Sequence, residues 1–152
     1  MITFTVSTLI KKPNDIVVNA LMNPDNFPYW QKDVVKFEVI DKKPGEVGSI
    51  GRLHYSQNGK RSYIMDDELI YCESGKRYIS EVTGDIITAQ VDTELQSVDN
   101  NTEMKVTWKG TGKQLFIKLL LPFMRSKMIN QSKTELETFK KLVETRGSDF
   151  SA

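Results

Sequence analysis

The chain has 152 residues, 39% of them hydrophobic and 27% charged, with a formal net charge of +1. That length suits one domain with a sizeable core, and so small a charge gives no bulk attraction to nucleic acid or to an anionic membrane. The single cysteine, Cys72, excludes an internal disulfide and fits a reducing compartment, so a cytoplasmic location is expected.

Ile2, Phe4 and Val6 alternate with Thr3, Thr5 and Ser7. This predicts a strand over about residues 2–10 rather than a signal peptide, because no basic segment precedes it. Asn14 offers a helix N-cap after Pro13, and Ile16, Val17, Ala20 and Leu21 form the apolar face of a short helix that Pro24 stops. Asn23–Asn26 is turn chemistry, followed by the aromatic knot Phe27-Pro28-Tyr29-Trp30. Six runs of period-two alternation come next, over about 34–42, 50–57, 60–72, 76–83, 86–98 and 103–110. Turn formers separate them: Pro44-Gly45, the hairpin signal Asn58-Gly59, Ser74-Gly75, Gly84-Asp85 and Asp99-Asn100-Asn101. Connections this short make neighbouring strands antiparallel.

Phase within each strand predicts the buried face. Phe37 and Val39 share it, as do Leu53 and Tyr55; Met65, Leu69 and Tyr71; Ala89, Val91 and Leu95; and Met104, Val106 and Trp108. In the fifth strand Tyr78, Ser80 and Val82 compete with Ile79 for it.

The last third is helical. Leu115 to Met124 is apolar except for Lys118 and Pro122. Beyond it Met128, Ile129, Leu136, Phe139, Leu142 and Val143 recur at helical steps, and Gly147 offers a C-terminal stop. Pro122 cannot donate to the helical ladder, which predicts a break near Leu121 and a long helix over about 122–145. The sum is an α+β fold: a seven-stranded curved antiparallel sheet wrapped around a long C-terminal helix, with two short helices between strands one and two. One domain is expected over residues 1–147, with 148–152 as a loose tail.

Several stretches together resemble a known family. They are Pro13-Asn14-Asp15-Ile16-Val17, Asn23 to Trp30, the glycines at 45, 48 and 51, Leu121-Pro122-Phe123-Met124-Arg125, and Glu135 to Glu144. The chain resembles the START/Bet v 1-like (SRPBCC) helix-grip superfamily, in particular its polyketide cyclase/dehydrase-like bacterial members. The resemblance implies a cavity between sheet and helix that takes a hydrophobic or amphipathic small molecule, of lipid, sterol, polyketide or aromatic type. It does not imply catalysis, because that superfamily includes carriers, sensors, co-chaperone domains and cyclases. On this basis Trp30, Phe37, Tyr55, Met65, Leu69, Tyr78, Val91, Trp108, Leu120, Phe123, Met124 and Met128 are expected to line the cavity; without it, the same side chains read as a solid core.

The remaining motifs are weak. Gly45, Gly48 and Gly51 have the look of a phosphate loop, but strands lie on both sides, so a turn needing positive φ is the better reading. His54 is the only histidine and falls opposite Leu53 and Tyr55, a surface position with no metal-ligand spacing around it. Cys72 reads as a small packed side chain. Asp67 shares the phase of Met65 and Leu69 and is either a rim group in water or a buried acid with a raised pKa.

The favoured reading is therefore a carrier or sensor of a hydrophobic small molecule, with no metal or cofactor. The alternative is a cyclase or dehydratase acting on a polyketide-like substrate, with Asp67, Tyr55, Tyr71 and, weakly, His54 as acid–base candidates. A third reading makes the apolar segment 115–124 a surface for a protein partner; its missing basic partners disfavour a membrane.

Overall fold

The computed structural model describes residues 1–57 and 61–152. Strand β1 (Ile2–Ile10) leads to helix α1 (Asn14–Met22), a 3-10 turn (Pro24–Asn26) and the single-turn helix α2 (Phe27–Trp30). Six strands follow: β2 (Val34–Asp41), β3 (Ile50–Gln57), β4 (Arg61–Glu73), β5 (Arg77–Thr83), β6 (Ile87–Val98) and β7 (Asn101–Gly112). Helix α3 (Leu115–Arg146) ends the fold. The seven strands form one antiparallel sheet in the order β1-β7-β6-β5-β4-β3-β2. The chain thus meanders from β2 to β7, and β1 closes the far edge. The expected Asn58-Gly59 hairpin lies outside the described residues.

Helix α3 lies across the concave face near β1 and β7. Leu121, Leu136, Phe139 and Val143 are its buried side chains, and they meet Ile2, Phe4, Val6, Ile10, Val17 and Ala20 in the core. The predicted break at Leu121 does not occur: Pro122 sits inside a helix that already begins at Leu115. Pro122 and Lys118, whose carbonyl loses its partner, both face solvent, so water can satisfy the freed group. Two inward anchors hold this first part of the helix. Leu121 is buried, and Ile117 rests so closely on Gly112 that an added Cβ there would lie 2.5 Å from its methyl group.

Three further expectations are corrected. Asn14 makes no N-cap hydrogen bond; its amide donates instead to the Gly75 carbonyl at 2.7 Å, tying α1 to the β4–β5 turn. Gly45 and Gly48 have positive φ, but Gly51 does not. It is a strand glycine whose missing side chain makes room for the Phe37 ring, 2.0 Å from where a Cβ would stand. Residues 148–152 are not a loose tail, because Phe150 is fully buried and stacks edge-on against Phe139 at 5.6 Å. Asn26 secures it: the buried side chain accepts from the Phe150 N–H and donates to the Ser148 and Ala20 carbonyls, all within 3.0 Å.

Candidate functional site

The sheet and α3 do not close on each other. Between them is a cavity of about 410 Å³, within the size range of small-molecule pockets. Strand phase and helical phase explain its walls. Inward positions of β6 and β7 supply Ala89, Val91, Met104, Val106 and Trp108, and β5 resolves its ambiguity by turning Tyr78, Ser80 and Val82 inward. Phe4 stacks on Trp108 at 5.5 Å. At the other end Phe27 stacks on Phe37 at 4.5 Å, and Trp30 tilts onto Phe139 at 4.9 Å. The aromatic knot is therefore a brace between β2 and α3. Exposed lining residues, including Lys32, Lys42, Tyr63 and Gln131, mark where the hollow meets solvent.

A few polar groups interrupt the apolar wall. Asp67 comes from β4, between Met65 and Leu69, and lies deep although the hollow leaves part of its surface uncovered. Burial pushes its carboxyl up to about 6, partly offset by the Ser80 hydroxyl from the neighbouring strand. Tyr55 and Tyr63 are direct cross-strand partners, stacked at 4.6 Å and nearly parallel. Burial raises both phenols, Tyr55 strongly, with the charges of Glu135 and Asp67 adding to its shift, so both stay protonated as donors near neutrality. Glu135 of α3 is also pushed up by burial, although Gln131 donates to it at 3.0 Å.

Of the residues expected to line the cavity, Trp30, Phe37, Tyr55, Met65, Leu69, Tyr78, Val91, Trp108 and Met128 do so. Leu120, Phe123 and Met124 do not, and all three are exposed: Phe123 stands on the face of α3 opposite the inward Ile117 and Leu121, while Leu120 and Met124 flank those two anchors in the part of the helix that precedes the hollow. Of the acid–base candidates, Asp67 and Tyr55 face the hollow. Tyr71 does not, because a bulge between Leu69 and Tyr71 flips the phase of β4 and puts its ring outside, under the Arg77 guanidinium. His54 is on the outer face, hydrogen-bonded to Glu38 at 3.0 Å. The same bulge turns Cys72 toward the core.

Tyr63, Thr93, Gln131, Ser132 and Glu135 also line the hollow, beyond the residues that sequence predicts there. Tyr63 shares the phase of Met65, and Gln131, Ser132 and Glu135 follow Met128 at steps of three, four and seven, so the signal was present in both periods. Among the described residues no three histidine, cysteine or acidic side chains converge as a metal site, and no helix is long and apolar enough to cross a membrane.

No protein-family model matches this chain, and no curated protein matches it. Solved structures do. The aromatase/cyclase Zhui from Streptomyces sp. R1128 superposes with a TM-score of 0.74 at 13% identity, covering 95% of this chain and 94% of that one. Ara h 8.0201 gives 0.73 at 15% identity, covering 93% and 97%. An AHSA1-like protein from Aeromonas hydrophila gives 0.69 at 16% identity, covering 94% and 92%. These three are members of the SRPBCC superfamily. The fold is the helix grip. Its defining relation, a curved antiparallel sheet closed around a C-terminal helix, is that of β1–β7 and α3 here. Identities this low carry the helix-grip architecture alone, not a neighbour's ligand or reaction.

Proposed function

We propose that this helix-grip protein binds a hydrophobic small molecule in the cavity between sheet and α3, as a carrier or sensor, and that the molecule bears a hydroxyl or other hydrogen-bond donor. The observation that carries this reading is the unfilled hollow itself, in a core that is elsewhere closely packed. An apolar guest would gain about 25 cal/mol for each Å² removed from water, before the costs of association. The polar points favour one kind of head group. Asp67 and Glu135 are carboxyls in a poorly hydrated wall, and both would be better satisfied by a donor than by another acid. A fatty acid carboxylate is therefore a poorer fit than an alcohol, a phenol or a sterol.

The test is native mass spectrometry of the freshly purified protein, followed by titration with a fatty alcohol, the matching fatty acid, a sterol and a polycyclic phenol. Saturable binding of a donor-bearing guest, with the acid weaker, is expected. Val91→Trp, which fills the hollow beside Trp108, should weaken it by about tenfold or more while the fold is retained. Absence of saturable binding across the panel would overturn the reading.

A second reading rests on Asp67. A carboxyl poised near 6, close enough to Tyr55 to affect its ionisation, suits proton transfer to a bound polyketide-like substrate. Asp67→Asn separates the two: a carrier keeps most of its binding, whereas a cyclase or dehydratase keeps binding and loses turnover.

A further inference from the structure

The first ten residues of α3 are turned inside out relative to an ordinary core helix. Phe116, Leu119 and Phe123 are 67%, 64% and 87% exposed, and Leu115, Leu120 and Met124 are exposed beside them. Leu115, Phe116, Leu119 and Phe123 recur at helical steps on the face away from Ile117 and Leu121, with Leu120 and Met124 along its flank, so they form one ridge. The ridge is held rigidly, because Ile117 is wedged over Gly112 and Leu121 is buried. The cavity does not use it.

Its charge surroundings are one-sided. Lys113, Lys118, Arg125 and Lys127 are exposed along or beside it, and no Asp or Glu occurs between Glu103 and Glu135. Arg125 is positioned by β1, donating to the Thr3 carbonyl. The β5–β6 turn adds exposed Ile86, whose carbonyl accepts from the Lys113 N–H, and next to it Asp85; the rim stays net positive. Contrary to expectation, basic partners are thus present locally, hidden in a total charge near zero.

We infer that the Leu115–Met124 ridge of α3 is a docking surface for an anionic phospholipid bilayer. Such a bilayer offers acyl chains to the phenylalanine and leucine side chains and phosphates to the surrounding cations. A second copy of the chain would instead bring this basic rim against its own like charges.

The experiment is co-sedimentation of the full chain with phosphatidylcholine vesicles containing about 30% phosphatidylglycerol, against phosphatidylcholine alone. Binding to the anionic vesicles, weaker by about tenfold on the neutral ones and reduced by high salt, is expected. The double variant Phe116→Ser/Phe123→Ser should lose at least about tenfold of that binding with an unchanged far-ultraviolet spectrum, since both side chains lie on the surface. Lys118→Glu/Lys127→Glu should lose it on anionic vesicles only. Equal binding by parent and variants, or no vesicle binding, would overturn the inference. Self-association through the ridge, or pull-down of an acidic protein in place of vesicles, would do the same.

Discussion

Asp67 shows how one side chain joins packing to chemistry. Period two places it inward between Met65 and Leu69, and burial then holds its carboxyl at about 6. The folded state binds that proton more tightly than the unfolded chain, so this contribution to stability is present below the ordinary carboxyl value and is lost as pH rises toward 6. Asp67→Asn should therefore be more stable than the parent at pH 8, by up to about 3 kcal/mol, with the advantage vanishing below about pH 4. Urea unfolding at the two pH values measures it; a difference independent of pH would show that the carboxyl is well hydrated. Outer-face acids behave oppositely. Asp66 is held below its usual range by Arg52 at 2.8 Å, and Glu38 by its hydrogen bond to His54. Neighbouring residues of one strand thus carry carboxyls shifted in opposite directions because the pleat points them to opposite media.

At the scale of elements, α3 is two helices in function though one in backbone. From Met128 onward its apolar stripe faces the core and cavity; before it, most apolar side chains face away. At about 1.5 Å per residue its 32 residues span roughly 48 Å. Pro122 marks the outer part. Its ring is exposed and it breaks one rung of the ladder, so Pro122→Ala should stabilise the protein by about 1–3 kcal/mol. Thermal unfolding checks this, and a loss of stability would mean that the proline ring makes a contact the helix needs. Among strands, the β4 bulge between Leu69 and Tyr71 is the decisive irregularity, because it exchanges Tyr71 for Cys72 on the inner face.

At the scale of the whole molecule, the ends of the chain are joined through Asn26. Its three hydrogen bonds link the end of α1 to Ser148 and Phe150 across 122 and 124 residues of sequence. Asn26→Ala leaves two carbonyls and an N–H without that partner in a buried place and should cost about 2–4 kcal/mol, read by urea unfolding. A change below about 0.5 kcal/mol would mean that water enters and replaces the side chain. No local pattern foretells this contact: Asn23–Asn26 reads as a turn, which it is, and its partners lie at the opposite terminus. Sequence by itself determined the order of elements, the antiparallel meander and most cavity-facing positions, because alternation and helical period are local consequences of backbone geometry. Only the tertiary structure decided that the core stays hollow, that Pro122 is carried within α3, that Tyr71 turns out and Phe150 turns in, and that most of the Leu115–Met124 run faces solvent while Ile117 and Leu121 turn in. Those outcomes depend on how distant surfaces fit together, and the free energy of fit is not encoded in any one segment's periodicity.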